Sequence, residues 1–264
     1  MPVANYYGSD LNHAAYSLRW SWTGWASACF FPDLSEQDWC KLGELWEQDG
    51  IRMLERKCVN DCWQVTVSTK PNVVPTIIVG RLKGRIDHLL RSKGIAFKFS
   101  RKVSLRSLGS NTAMDVREYI RNQVDAAQFC DSDFAESLKQ FTRVWDGEQI
   151  GQTPIEVTSG RYWYHLHLVL VVDDRRRIRD LSFLGGIFES SQAIALDRGY
   201  VLNSISVMPD HLHVCLRGAI ADSPEAIALV YLNETCRMQS ANGLWRPSYY
   251  VGTIGVYNMN AVRR

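Results

Sequence analysis

The run Ser204-Ile205-Ser206-Val207-Met208-Pro209-Asp210-His211-Leu212-His213 alternates as a half-buried strand does. Side chains at i and i+2 of a strand share a face. Leu212 therefore turns into a core, while His211 and His213 point together away from it and form half of a metal site. A second segment, Val116 to Gln123, reads as a helix. Helical residues four apart are surface neighbours, with Cβ atoms roughly 5–6 Å apart. Tyr119 and Gln123 would stand side by side there, a nucleophile and an oxygen ligand on one face.

Together these segments resemble the single-tyrosine HUH transposases, the group that includes the REP-associated tyrosine transposases. The family's histidine strand is matched by Val207-Met208-Pro209-Asp210-His211-Leu212-His213-Val214, and its tyrosine helix by Tyr119-Ile120-Arg121-Asn122-Gln123. Tyr164-His165-Leu166-His167-Leu168-Val169 is similar to the family's opening strand, and Leu244 to Val251 extends the likeness. Two histidines around one residue are a weak signal alone; the flanking Met-Pro-Asp and the tyrosine helix make it more specific. One departure matters. In the family the histidines precede the tyrosine helix, whereas here Tyr119 lies about ninety residues before them.

An internal repeat accounts for that order. Lys57 to Val67 set beneath Ser206 to Leu216 places Asp61 on Asp210, with Cys62 and Gln64 at the histidine positions. Gly109 parallels Gly255, so Val116-Arg117 sits over Val262-Arg263, and the partner of Tyr119 would fall one residue past Arg264. The first half keeps the tyrosine helix without histidines, and the second keeps the histidines without a tyrosine. Tyr257 lies eight residues before the expected position and reads as structural. In the family, active sites are composite across a homodimer. The resemblance therefore implies a fused pseudo-dimer with one composite site, in which His211, His213 and Gln123 hold the metal and Tyr119 is the nucleophile.

Length fits one large domain or two ordinary ones. The expected division is 1–127 as the first transposase-like half, 128–159 as connector and 160–264 as the second half. Antiparallel strands with helices on one face give an α+β class, and the resemblance implies a ferredoxin-like (RRM-like) core in each half. The expected elements include strands at 15–28, 63–69, 162–172, 202–206 and 211–217. Helices are expected at 35–50, 75–90, 113–127, 184–197 and 223–239. No stretch approaches the roughly 18–20 apolar residues of a membrane span, and the start lacks the plan of a secretory signal. A cytoplasmic protein is the expectation. Seven cysteines without a CxxC pair fit reduced thiols. Cys58 and Cys62 read better as small apolar residues than as ligands.

The net charge of +2 says little, but its distribution says more. Between Gly80 and Ser110 lie Arg81, Lys83, Arg85, Lys98, Arg101, Lys102 and Arg106 among nine basic residues, against Asp87 alone. Arg175 and Arg176 begin a second cluster. Such clusters are electrostatic footprints for phosphates; an isolated charge run is more often a solvated face, but the first lies between Phe97, Phe99 and the tyrosine helix and is read as a DNA contact. Trp245, Tyr249 and Tyr250 could stack bases, with core packing equally open for each.

The resemblance implies a divalent metal, Mg²⁺ or Mn²⁺, since two imidazoles and an amide oxygen make an open site rather than a closed structural one. It implies nicking and joining of single-stranded DNA, often hairpin-bearing, through a 5′-phosphotyrosine. Tyrosine's ordinary pKa is near 10, so deprotonation needs help that the sequence does not locate. The acting species would be the monomeric pseudo-dimer or a homodimer of it. Two rivals stand beside this reading: a domesticated hairpin-binding protein that no longer cuts, and an initiator-type HUH nickase. The histidine pair His165 and His167 also competes for the metal role, but lacks the Met-Pro-Asp lead and reads as core or interface.

Overall fold

The computed structural model describes residues 5–9, 11, 15–27, 32–59, 62–145 and 153–256. The first block runs β1 (Leu18–Ala26), α1 (Glu36–Gln48), β2 (Ile51–Val59), β3 (Cys62–Thr69), α2 (Pro75–Ser92), β4 (Phe99–Leu108) and α3 (Ala113–Arg121). Short elements follow: α4 (Gln123–Ala126), α5 (Ser132–Lys139), β5 (Thr142–Val144), β6 (Ile155–Val157) and β7 (Gly160–Trp163). The last block runs β8 (His165–Val171), α6 (Leu181–Arg198), β9 (Val201–Met208), β10 (His211–Arg217), α7 (Pro224–Met238) and β11 (Tyr250–Thr253). This is a mixed α+β architecture built on two antiparallel-rich sheets.

The two blocks repeat one order, strand–helix–strand–strand–helix–strand. One sheet is ordered β2-β3-β1-β4-β7-β6 and the other β11-β8-β10-β9-β5. Within each block the first strand lies between the third and the fourth, and the second strand lies outside the third. Local chemistry sets the elements. Ser35 and Thr112 cap α1 and α3 in reciprocal capping boxes with Asp38 and Asp115. α2 and α7 both open on proline, which loses nothing at a helix's first turn. Leu212, Val214 and Leu216 are fully buried, as alternation in β10 predicts. One contiguous apolar core joins residues of both blocks, from Trp20 and Trp22 to Tyr231 and Trp245.

Several elements differ from expectation. β2 went unread because Ile51 to Val59 carries charges throughout its length; it is an edge strand, where charge discourages pairing with another chain. β4 went unread because its sequence looked like a basic patch, yet it pairs with β1 and β7. The helix expected over 113–127 breaks at Asn122, whose N–H bonds back to Glu118 and Ile120 carbonyls. The stretch expected as connector contains α5 and two short strands, of which β5 extends the second sheet and β6 the first. Asp61, Tyr257 and Val262 to Arg264 lie outside the described residues.

The blocks meet where the end of β4 passes the segment after β11. The Gly109 N–H donates to the Gly255 carbonyl at 2.9 Å, and the Gly255 N–H to the Asn111 carbonyl at 3.3 Å. A Cβ at Gly109 would strike the Thr253 carbonyl oxygen, and a Cβ at Gly255 would strike that of Ser107. Positions 109 and 255, like 107 and 253, are 146 apart, so the two contacts are reciprocal. Reciprocity of this kind is the signature of a two-fold relation. Ser107 Oγ ties the seam by donating to the Ile254 carbonyl at 2.7 Å and accepting from the His165 N–H at 3.2 Å.

The His165 ring is buried beside that seam, and both ring nitrogens lack a partner. Burial first, then the nearby Arg217 and Arg106, push its pKa down to about 3. Between that value and the ordinary 6.5, the unfolded chain binds a proton that the folded chain does not. Stability contributed by the neutral ring is therefore whole above about 6.5 and declines as pH falls toward 3, by at most ~1.4 kcal/mol per pH unit. Urea midpoints measured from pH 7 to 4 should fall more steeply for the native chain than for His165→Phe; equal slopes would refute this. Gly109→Ala should cost about 1–3 kcal/mol by forcing the seam apart, and an unchanged urea midpoint would show that the backbones do not meet as described.

Candidate active site

Helix α3 leaves the first block and settles on the second sheet. Its Val116 and Ile120 form a small apolar cluster with Cys215 of β10 and Ile254. Cys215 shares its face of β10 with His211 and His213, so this seat brings Tyr119, one turn on from Val116, to the histidines. Tyr119 is 54% exposed, and its ring meets that of His213 edge-on with centroids 5.4 Å apart. The helix breaks at Asn122, and Gln123, which begins α4, is buried. Its Nε2 donates to the Tyr119 carbonyl at 3.3 Å, which leaves Oε1 facing His211 Nε2, also at 3.3 Å. Tyr119, Gln123, His211 and His213 thus line one cavity of about 660 Å³.

Every histidine in the site is held by a neighbour. The turn between β9 and β10 is pinned by bonds from Val172 N–H to the Asp210 carbonyl and from Ile178 N–H to that of Pro209. Asp210 Oδ1 then lies 2.6 Å from His211 Nδ1, and Arg175 stands 3.4 Å from the same carboxylate. His213 Nδ1 lies 3.0 Å from His167 Nε2. Burial, followed by the neighbouring His211 and His167, pushes the His213 pKa down to about 2; burial pushes His167 to about 4. Both rings are neutral at ordinary pH, the state in which imidazole offers a lone pair to a cation.

His167 is the residue that pattern reading undervalued. Val169 pairs with both His213 and Tyr250 across the ladder, so His167, two residues earlier, shares their face. The competing pair is split: His165 belongs to the seam and His167 to the site. The signal was present in the alternation of Tyr164 to Val169, but strand order was needed to set it beside β10.

The basic candidates divide by place. Arg175 lines the cavity, and Arg176 follows it, exposed, with its Nε donating to the Asp173 carbonyl. Asp174 and Arg175 hold consecutive left-handed conformations, φ 53° and 50°, a strained turn of a kind found at functional sites. Lys98, Arg101 and Lys102 are exposed. Arg81 and Arg85 pair with Asp49, Lys83 donates to the Ser100 carbonyl, and Arg106 stacks on Trp163 at 4.2 Å. None of these lines the cavity. Trp245 requires correction as a DNA contact: it is 1% exposed, and its indole N–H donates to Thr235. Tyr249 is likewise buried, bonded to Glu225, whereas Tyr250 is 57% exposed at the cavity. At the corresponding place in the first sheet, Gln64 is 3% exposed and bonds Ser21. Among the described residues no three of His, Cys, Asp or Glu make a metal cluster. No helix among them is long and apolar enough to cross a membrane.

Comparison with known proteins bears on the second block. No curated protein matches the chain. A crystal structure of a candidate transposase from Deinococcus radiodurans R1 is similar at 24% identity, over 38% of this chain and 83% of that one, with a TM-score of 0.31. A bacterial light-regulated adenylyl cyclase aligns at 7% identity over 75% of this chain and 60% of that one, with a TM-score of 0.18. The family model of IS200-like transposases matches residues 161–264, a stretch that holds both site histidines and begins after Tyr119 and Gln123. That stretch of the chain, with His211 and His213 in it, is therefore similar to the IS200-like transposases.

Proposed function

We propose that this protein is a transposase-type enzyme that nicks and rejoins single-stranded DNA at one composite site. The observation that carries the reading is the meeting of Tyr119 and Gln123, from the end of the first block, with His211 and His213 in the second. Residues 1–127 and 160–264 are read as two tandem ferredoxin-like units forming a pseudo-dimer. The repeated strand order and the reciprocal Gly109 and Gly255 contacts support this.

The donor set fits a small divalent cation, Mg²⁺ or Mn²⁺. Gln123 Oε1 and His211 Nε2 face each other at 3.3 Å, and two ligands at right angles on such an ion stand about 3 Å apart. When bound, the ion would polarise the phosphoryl oxygen and offset charge on the departing 3′ oxygen. Asp210 orients His211, and Gln123 is oriented by the Tyr119 carbonyl. Tyr119 Oη attacks the phosphorus, a phosphotyrosine forms at the 5′ side and the 3′ oxygen leaves. A 3′ hydroxyl then attacks that linkage and frees Tyr119, so rejoining needs no nucleotide cofactor. Arg175 and Arg176 would hold backbone phosphates, and exposed Tyr250 would stack a base. Hairpin-bearing strands are the natural substrate, because the site must reach an unpaired backbone.

Labelled hairpin-bearing single strands incubated with the protein and Mn²⁺ should yield a covalent adduct on a denaturing gel. Tyr119→Phe should abolish it, and His211→Ala should reduce it at least about a hundredfold. An adduct that survives Tyr119→Phe removes this nucleophile, and tight hairpin binding without any adduct favours a non-cutting relative.

A further inference from the structure

The site geometry raises a question of proton placement. A neutral imidazole carries one N–H and one lone pair, and the partner of one nitrogen decides what the other can do. At His211 the answer is set by Asp210: an ionised carboxylate only accepts, so Nδ1 carries the proton and Nε2 keeps its lone pair toward Gln123 Oε1. At His213 the partner is a second imidazole, His167, and either ring nitrogen could be the donor across the 3.0 Å contact. Only one sense leaves His213 able to bind a cation through Nε2. In that sense, His213 Nδ1–H donates to His167 Nε2.

We infer that His167 is a positioning residue that holds His213 in its Nδ1–H tautomer and so readies Nε2 as a cation ligand. This rests on the metal-dependent reading of the site. The surroundings fit the role. The His167 and His213 rings lie 20° from parallel with centroids 5.2 Å apart, an arrangement compatible with a bond between their facing ring nitrogens. Tyr119 and Tyr250 close on His167 edge-on at 6.3 and 5.9 Å and limit its rotation. His165, on the same strand and face, is buried with neither ring nitrogen bonded, so burial alone does not produce the contact that His167 makes. Groups that orient metal-ligating histidines typically change metal affinity 10- to 100-fold when removed.

The test uses the full chain labelled with ¹⁵N-histidine, its tautomers read by long-range ¹H–¹⁵N spectra without added metal, and Mn²⁺ affinity read by electron paramagnetic resonance. The native chain should show His213 as the Nδ1–H form. His167→Gln, which keeps an acceptor near the Nε2 position, should retain that form and most of the Mn²⁺ affinity. His167→Leu should shift His213 toward the Nε2–H form and weaken Mn²⁺ binding about 10- to 100-fold. An Nε2–H tautomer in the native chain overturns the inference without any variant, as does native Mn²⁺ affinity in the Leu variant. If the Gln variant loses Mn²⁺ as fully as the Leu variant while His213 keeps its tautomer, His167 is a ligand and the positioning role falls. A chain that passes these tests yet forms no DNA adduct would sink the proposed cleavage and leave this inference standing.

Discussion

The arrangement depends on two backbones passing at Gly109 and Gly255 without side chains between them. That close passage fixes where β4 ends relative to β11, and hence where the chain turns at Thr112 into α3. From there the seat is apolar: Val116 and Ile120 against Cys215 and Ile254. A helix of nine residues is too short to persist alone in water, so this contact and the Thr112 capping box hold it. Everything at the site follows from that seat, since the same helix that buries Val116 and Ile120 presents Tyr119 to the His213 ring. Gln123, just past the break at Asn122, keeps its place four residues on from Tyr119 and is buried beside it.

Local periodicity carried much of this into the sequence. His211 and His213 on one strand face, and Tyr119 with Gln123 one helical turn apart, follow from spacing alone. The strongest core strands and the two proline-opened helices were equally legible, because apolar alternation and N1 proline act within a few residues. What spacing does not contain is adjacency between strands. His167 stands beside His213 because β8 pairs with β10 at a particular register, and that register is set by a core spanning the whole second block. Charged strands were hidden for a different reason. β2 and β4 carry charge where an interior strand would carry aliphatics, so their composition resembles solvated surface.

Basic residues were the least informative part of the sequence. Arg81 and Arg85 serve Asp49 at the end of α1, and Arg106 lies against Trp163. Each is an intramolecular cation that composition cannot tell from a phosphate contact. Arg175 differs because a strained left-handed turn sets it over the cavity, beside the carboxylate that orients His211. A strained conformation persists only where surrounding structure holds it, and here the neighbouring bonds from Val172 and Ile178 into the β9–β10 turn supply that hold.

Because α3 and β10 are parts of one polypeptide, their encounter is unimolecular. A site shared between separate subunits empties on dilution, as partners dissociate below their binding constant. Here the linking chain keeps the tyrosine helix at a local concentration set by tether length rather than by how much protein is present. The site therefore assembles as fully at trace abundance as in a concentrated solution, and a single molecule is sufficient to build it.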